Sequence, residues 1–395
     1  MRLALFCGRL WLALFLFSAP ALASREVLLG ILKENVPSLT GVPQYLRAPV
    51  TQGIAGAQLG ILDANQAGKF LKLHYQLNVA KEDQTALVKT AQQMWQQGVS
   101  IFLIDASTPT LLAVRQALPE VALLINTNNS ADNLRVTLCL ANTLHTAPSD
   151  SMKSDAIAQW LRQEKLLRIL LISGQSEPDL ALKQAVLHSI EKYGLKLIDD
   201  KTWTFDTDLR RQASVEVKRF TQSKEYDVVW VNDTQNLFGQ YIAYNTWLSR
   251  FVVGTHGLRA DAWHRSLEEW AAAQLQERFY RQNQRYMEAA DYNAWVAIQT
   301  VHSALRTQPQ LSDRELTAFL IDPQFEFAAY KGRAVSFRGW DGQLRQPIPL
   351  STEQALVASL PLDGYLHPIN NLDTLGTDES ASQCRLAGSI KRKTP

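Results

Sequence analysis

Five short apolar runs are spaced along the chain, and each stops at small polar residues before a segment with helical periodicity. Continuous apolar runs are typical of buried strands in a parallel sheet, because helices cover both faces of such a sheet. The runs, each with the polar residues that follow, are Val27–Leu32 with Lys33–Asn35, Ser100–Ile104 with Asp105–Ser107, Val121–Ile125 with Asn126–Asn128, Arg168–Ile172 with Ser173–Gln175, and Asp227–Val231 with Asn232–Thr234.

The strand–helix alternation forms two series, one over about residues 25–140 and one that starts after Thr146–Ser149. Repeated strand–helix units produce right-handed crossovers and a parallel sheet, so two series predict two α/β lobes. The further elements predicted are strands over Phe70–Leu77, Leu195–Ile198 and Phe251–Gly254, and helices over Gly53–Asn65, Thr85–Gln97, Ser151–Gln163, Asp179–Tyr193, Ser214–Gln222 and Gln235–Trp247.

The end of the chain has a different pattern. Long helices are predicted over Leu267–Arg285 and Ala289–Leu305. Asp341-Gly342 between two β-like runs predicts a tight hairpin, because a type I′ turn needs positive φ at both central residues. Beyond Pro368 the sequence becomes polar, which predicts an extended tail that is ordered only if Cys384 is held.

Composition and motifs narrow the class of function. The chain has 395 residues, enough for two domains, and its net charge of +2 gives no footprint for nucleic acid. It has no Gly-rich phosphate loop, Gly-x-Ser-x-Gly, His-Glu-x-x-His or Cys-x-x-Cys motif, and its seven histidines are scattered. We therefore expect no enzyme, no metal and no cofactor. A hydrolase that uses a pair of carboxylates in a cleft is the enzymatic alternative.

The first 23 residues have the organisation of a secretory signal peptide. Arg2 and Arg9 provide the positive region, Leu10–Phe17 is apolar, and Ala21–Ala23 forms a cleavage site before Ser24. A transmembrane anchor is the alternative, but this stretch is too short to cross a hydrocarbon core of roughly 30 Å. No cysteine lies at the cleavage point, so we expect a periplasmic protein without a lipid anchor.

Two cysteines, Cys139 and Cys384, remain after the expected leader. An even pair in an exported protein predicts a disulfide, and two free buried thiols are the alternative. The bond would close a loop of roughly 245 residues and tether the tail to the middle of the chain.

Polar side chains at the ends of the strands are the candidates for ligand binding, because the carboxyl ends of parallel strands open onto the ligand crevice. Helix capping by Thr108 and turn formation by the asparagines are the structural alternatives. Asp105 disfavours an anion and suits a cation or a hydroxyl group. The candidates are Asp105, Ser107, Thr108, Asn126, Asn128, Ser149, Asn232 and Asp233.

Several motifs resemble a known family. Pro37–Gly41 is similar to the P-L-T-G loop of type I periplasmic substrate-binding proteins, and Gly53–Gly68 to the first helix of that family. Longer matches resemble the ABC-transporter substrate-binding protein found with pyrroloquinoline-quinone-dependent alcohol dehydrogenase systems, a branch of the branched-chain amino acid binding family. They are Asn142–Ser149 (NTLHTAPS), Ala272–Phe279 (AAQLQERF), Phe337–Leu350 (FRGWDGQLRQPIPL) and Leu372–Asp378 (LDTLGTD) with Cys384.

The resemblance implies two Rossmann-like lobes with three crossovers and a ligand between them. It places the first lobe at about 25–142 and 257–328, the second at about 143–256 and 329–366, and the tail at 367–395. Amino-acid-binding relatives hold the ligand with a Ser/Thr loop, here Ser107 and Thr108, and an acidic residue, for which Asp233 is the nearest match. Asp105 beside that loop departs from the pattern.

These observations predict a monomeric receptor that binds a small solute between its lobes and delivers it to a membrane permease. A periplasmic quinoprotein dehydrogenase is a further candidate partner. The alternative function is a sensory or accessory module that presents its closed state to a receptor or dehydrogenase.

Overall fold

The computed structural model describes residues 24–36, 42, 44–204 and 209–386. The expected signal peptide (1–23) and the Pro37–Gly41 loop lie outside the described residues, as do residues 387–395 of the tail. None of the helices in the described ranges has the length and apolar character needed to cross a membrane.

The first lobe is built on a parallel sheet with strand order β2-β1-β3-β4-β5. Apolar side chains from one face of this sheet pack in a cluster with α1 and three later helices, and those from the other face pack with α2 and α3. The elements of this first stretch are β1 Arg25–Glu34, α1 Ile54–Gly68, β2 Leu73–Glu82, α2 Gln84–Gln96, β3 Ile101–Asp105, α3 Thr108–Ala117, β4 Leu123–Asn126, α4 Asn133–Val136 and β5 Thr143–His145.

The second lobe has its own parallel sheet, with strand order β7-β6-β8-β9. Two apolar clusters, one on each face, bury strands whose central residues are almost all Val, Ile or Leu. Its elements are α5 Asp150–Gln163, β6 Arg168–Ser173, α6 Glu177–Lys192, β7 Lys196–Thr202, α7 Leu209–Phe220, β8 Val228–Asn232, β9 Phe251–Gly254 and β10 Arg259–Ala260.

The chain then returns to the first lobe and crosses once more to the second. Residues of α8, α9, α10 and the small antiparallel sheet β11-β12-β13 join the core of the first lobe, whereas β14 and β15 pair with β10 of the second. These elements are α8 Ala272–Asn283, α9 Ala289–Thr307, α10 Asp313–Leu320, β11 Phe327–Ala328, β12 Ala334–Phe337, β13 Leu344–Arg345, β14 Ile348–Ser351 and β15 Leu356–Leu360.

Three crossovers therefore join the lobes, at residues 146–149, at Asp261 and at residues 346–347. The boundaries expected at residues 142, 256 and 328 lie upstream of them. β5 pairs with β4 in the first sheet, β10 pairs with β14 in the second lobe, and β12 packs in the first core. Strand pairing, which sequence motifs do not specify, sets the observed positions.

The tail is not simply extended. Cys139 and Cys384 form a disulfide, which confirms the predicted pairing. Asn371–Thr374 is a turn of 3₁₀ helix, Gly376 donates its amide to Asp155 of α5 at 2.8 Å, and Leu386 donates its amide to the Trp340 carbonyl at 2.9 Å. The tail therefore contacts both lobes.

Three local predictions are wrong. The helix expected over Gln235–Trp247 is reduced to a 3₁₀ turn at Gly239–Tyr241. Residues 69–71 form 3₁₀ helix, so the second strand starts only at Leu73. The Asp341-Gly342 hairpin exists, but only Gly342 of the pair has positive φ, and the Arg338 amide bonds to the Gln343 carbonyl across a four-residue loop instead of a type I′ turn.

Candidate functional site

Each sheet has a topological switch point, where the chain leaves neighbouring strands toward opposite faces. In the first sheet it lies between β1 and β3, and in the second between β6 and β8. Ligands of open α/β sheets bind outside the carboxyl ends of the strands at such points. Two register pairs mark these ends, Lys33 with Asp105 in the first lobe and Ser173 with Asn232 in the second.

Asp105 lies at the end of β3 and is 6% exposed. Its carboxylate forms an ion pair with Lys33 of the adjacent strand and accepts a hydrogen bond from Asn128 Nδ2 at 2.9 Å. Gly53, which precedes α1, comes close to the same carboxylate: a Cβ there would be 3.2 Å from Asp105 Oδ2. The charge of Asp105 is thus compensated within the lobe, and its position at the switch point is fixed from three sides.

The start of α3 holds the next two candidates, Ser107 and Thr108. The Ser107 amide donates to Glu34 Oε2 at 2.7 Å, and the Thr110 hydroxyl donates to Glu34 Oε1 at 2.8 Å. Thr108 Oγ1 accepts from Asn129 Nδ2 at 3.1 Å. The end of β1 therefore supplies a carboxylate that binds at the beginning of α3.

Asn126 is fully buried at the end of β4 and organises the loop that follows. Its Oδ1 accepts from the amides of Asn128 at 3.3 Å and Asn129 at 2.9 Å. Its Nδ2 donates to the Asn129 carbonyl at 2.7 Å and lies 3.1 Å from His145 Nδ1. Burial, assisted by the positive charge of Arg135, lowers the pKa of His145 well below its ordinary value, so the ring is neutral and can accept this bond. Asn126 thus positions Asn128, which reaches Asp105.

Asn232 and Ser173 form the corresponding pair in the second lobe. Both are fully buried, and Asn232 Nδ2 donates to Ser173 Oγ at 3.2 Å. Asn232 Oδ1 has no hydrogen-bond donor among the residues that the structure describes. A buried amide oxygen without a donor is unfavourable, and such groups in native proteins call for an explanation. A solute that donates a hydrogen bond to this oxygen would supply one.

Asp233 follows Asn232 and is turned into its own loop. Its carboxylate accepts from the amides of Leu237, Phe238 and Gly239 at 3.0, 2.8 and 2.7 Å. These bonds stabilise the irregular segment that replaces the expected helix. The amide of Asp233 donates to Thr255 Oγ1 at 3.0 Å, which connects this loop to the end of β9.

Ser149 lies in the first crossover and caps α5. Its hydroxyl accepts from the Met152 amide at 3.1 Å, and the residue is 4% exposed. Capping accounts for the hydroxyl of Ser149. The capping role considered for Thr108 is not observed, because Thr108 is the first residue of α3 and Ser107 holds the N-cap position.

The candidates therefore form two groups, one at each switch point, with Ser149 in a crossover. Asn128 is hydrogen-bonded to both Asp105 and Asn126 within the first lobe. No hydrogen bond or ion pair joins these three to Asn232 or Asp233 in the described ranges. Sequence reasoning missed Lys33, Glu34 and Ser173, although all three stand among the polar residues that end the apolar runs.

Neither a metal site nor a cavity adds to these two groups of residues in the described ranges. The described residues include no group of three or more His, Cys, Asp or Glu side chains placed to hold a metal ion. A cavity of about 280 Å³ lies between β12 and residues 369–372 of the tail, away from the switch points.

No family model and no curated protein matches the sequence, but solved structures with the same architecture do match the fold. The structure is similar to that of a branched-chain amino acid ABC transporter periplasmic ligand-binding protein from Burkholderia xenovorans, with a TM-score of 0.72 and 15% identity over 91% of this chain and 100% of that chain.

Two further solved structures support the same comparison. A leucine-, isoleucine-, valine-, threonine- and alanine-binding protein from Brucella ovis, in its closed conformation, has a TM-score of 0.69 at 12% identity, covering 88% of this chain and 98% of that one. An ABC transporter solute-binding protein from R. palustris, in complex with benzoate, has a TM-score of 0.63 at 12% identity, covering 92% and 100%. At such identities the likeness establishes the fold: the chain has the two-lobe α/β architecture of type I periplasmic binding proteins, as the sequence predicts.

Proposed function

We propose that this chain, which has the type I periplasmic binding protein fold, is the solute receptor of an ABC transporter and binds a small molecule between its lobes. The observation that carries the proposal is the placement of polar pairs at both topological switch points, the partly buried Lys33–Asp105 in one lobe and the fully buried Ser173–Asn232 in the other. The solved neighbours bear names of ABC transporter ligand-binding proteins.

Binding would work by closure of the lobes. A ligand shifts an equilibrium between open and closed forms only if it interacts more strongly with the closed form. It must therefore contact both lobes at once, and crossovers that absorb small backbone rotations permit this movement. Asn232 Oδ1 offers the contact on the second lobe, and the Lys33–Asp105–Asn128 cluster offers it on the first.

The partner of the closed form would be a membrane permease, and the receptor would act as a monomer without a cofactor or catalytic step. The motif resemblance further points to a receptor that works beside a quinoprotein alcohol dehydrogenase in the periplasm. The second candidate is a sensory or accessory module that presents the closed form to a receptor or to that dehydrogenase. Pull-down with solute-loaded protein separates the two, because a permease and a dehydrogenase are different captured partners.

A thermal-shift screen over a solute library tests the proposal, because a ligand that binds only the folded state raises the unfolding midpoint. For the solute found, Asn232→Ala should weaken binding at least about tenfold, which corresponds to 1.4 kcal/mol. Its unfolding midpoint without solute should fall, because the variant also loses the bond from Nδ2 to Ser173 Oγ and leaves a buried cavity, so the readout is the affinity for the solute and not this midpoint. Asn245→Ala, which removes an amide bonded to the Tyr241 carbonyl in the same lobe, is the control.

Asp105→Asn provides the matching test on the first lobe. It keeps the shape of the side chain and removes the charge that faces Lys33. Weaker solute binding in both Asn232→Ala and Asp105→Asn, with a decrease in radius of gyration on solute addition to the wild type, supports binding between the lobes. Unchanged affinity in both variants contradicts it.

A further inference from the structure

We infer that Glu34 occupies the anion-binding position of the first lobe, so that the solute contacts this lobe through a neutral or cationic group and not through a carboxylate. The inference rests on the proposed function and deepens it by naming the chemical class of the solute.

The start of α3 is a position that favours an anion. Amides at the beginning of a helix lack partners within the helix, and the helix dipole is positive there. Pro109 follows at the first turn, so this end offers few amides, and one of them, from Ser107, is bonded to Glu34 Oε2 at 2.7 Å. The buried Thr110 hydroxyl binds the other carboxylate oxygen at 2.8 Å. Glu34 thus makes the two contacts that a ligand carboxylate would seek.

The surrounding charges point the same way. Lys33, the cation beside Glu34, is already paired with Asp105. A solute carboxylate at this edge would approach the carboxylates of Glu34 and Asp105 while the ammonium of Lys33 is engaged. Like charges brought together at an interface are unfavourable by several kcal/mol. A hydroxyl or an ammonium group meets no such repulsion and can donate to either carboxylate.

The second lobe supplies independent support. At its switch point, one buried polar atom has no hydrogen-bond partner among the described residues. This atom is Asn232 Oδ1, which is an acceptor. An acceptor requires a donor, which hydroxyl and ammonium groups provide and an ionised carboxylate does not. Both switch points therefore select a solute that donates hydrogen bonds.

Chemical rescue tests the occupancy directly. Glu34→Ala empties the space at α3, and acetate should refill it, raising the unfolding midpoint of this variant above its value in sodium chloride of equal ionic strength. The wild type should not respond. The control is Glu82→Ala: Glu82 is the register partner of Glu34 on β2 and accepts from Thr90 Oγ1 at 2.7 Å, away from α3. Glu34→Ser leaves nearly the same space and replaces Glu34→Ala if that variant does not fold.

The change in unfolding midpoint on addition of acetate decides whether Glu34 occupies this position. A rise confined to the Glu34 variants supports the inference, and an equal response in all proteins, or none in any, overturns it. This test needs no knowledge of the solute. Its failure therefore leaves the proposed solute-binding function standing, while failure of the solute screen leaves the occupancy of α3 by Glu34 standing.

Paired probes then test the solute class. Benzoate with benzyl alcohol, and 4-methylpentanoate with 4-methylpentan-1-ol, differ in the carboxylate and carry no ammonium group. The wild type should give no midpoint shift with either carboxylate at millimolar concentration, whereas Glu34→Ala should give a shift with at least one of them. Micromolar binding of either carboxylate by the wild type overturns the inference.

Discussion

Arg338 Nε donates to Asp373 Oδ1 at 2.8 Å, and both side chains are almost completely buried. Arg345 Nε donates to the same oxygen, also at 2.8 Å. The Arg338 guanidinium also donates to the Leu375 carbonyl at 2.7 Å. Asp373, in the tail, is thus the common counter-charge of two arginines from the β12–β13 hairpin.

Asp373→Ala should therefore destabilise the protein strongly, because it removes the carboxylate that two arginines share and leaves the buried Arg338 with only the longer contact to Asp341, at 3.7 Å, among the described carboxylates. The expected loss in free energy of unfolding is about 3–5 kcal/mol, measured by urea denaturation. Asp363→Ala is the control: that carboxylate is exposed, 3.9 Å from Arg333, and its loss should cost less than about 1 kcal/mol. Equal effects in the two variants would contradict this assignment.

The disulfide between Cys139 and Cys384 should hold the tail on the first lobe. Replacing both cysteines by serine should lower the free energy of unfolding by about 2–4 kcal/mol. It should also speed proteolytic cleavage after residue 367, which mass spectrometry of the fragments can locate. The wild type under reducing conditions serves as the comparison and should behave like the double variant. Identical cleavage of oxidised and reduced protein would show that the remaining contacts suffice.

We expect the free energy of unfolding to depend on pH through Lys331, which lies at the crossovers. It is buried, and its amino group donates to the carbonyls of Ala262, next to the second crossover, and Pro347, in the third. Burial lowers its pKa from 10.5 to about 7, and the charge of Asp261 opposes this shift. Between these values the unfolded chain binds a proton that the folded chain lacks, so this group makes the free energy of unfolding rise with pH.

The measurement is the stability difference between the wild type and Lys331→Met, at pH 7 and near pH 10. The free energy of unfolding of the wild type, relative to that of the variant, should increase as the pH rises through this window. Taking the difference removes the titration of all other groups. A difference that is constant over the window, or that falls, would contradict the lowered pKa.

Gly56 fixes the distance between α1 and α9. A Cβ at this position would lie 1.9 Å from the Asp291 carbonyl oxygen, which belongs to the backbone and cannot move aside cheaply. Gly56→Ala should therefore cost about 3 kcal/mol of unfolding free energy, because the helices must separate. Gly364→Ala, where no heavy atom lies within 4 Å of the added methyl, should change it by less than about 0.5 kcal/mol. A tolerated Gly56→Ala would mean that the helices pack less closely.

Buried strands were the most predictable part of the fold. β1, β3, β4, β6 and β8 match the five apolar runs to within a few residues, because burial on both faces demands continuous apolar sequence. The helix predicted over residues 235–247 failed for a tertiary reason. Asn236 and Tyr244 have positive φ, and the carboxylate of Asp233 binds the amides of that segment in place of helical carbonyls.

The placement of the candidate residues at the ends of buried strands could be predicted from the sequence, whereas their contacts could not. Strand ends identify the edge of a sheet where a ligand binds, so Asp105 and Asn232 could be chosen from sequence. The partner of Ser107 could not, because Glu34 lies 73 positions away and reaches α3 only through the pairing of β1 with β3. Such pairing depends on which residues of the two strands lie opposite each other, and apolar patterning alone does not determine this register.

The tail also limits how the lobes can move. Gly376 is bonded to Asp155 of the second lobe, and Cys384 to Cys139 of the first, so within the described residues a fourth stretch of chain runs beside the three crossovers. We therefore expect the tail to oppose sliding or twisting of one lobe across the other, since either movement strains one of these two links, and to permit a rotation about the edge on which the tail lies.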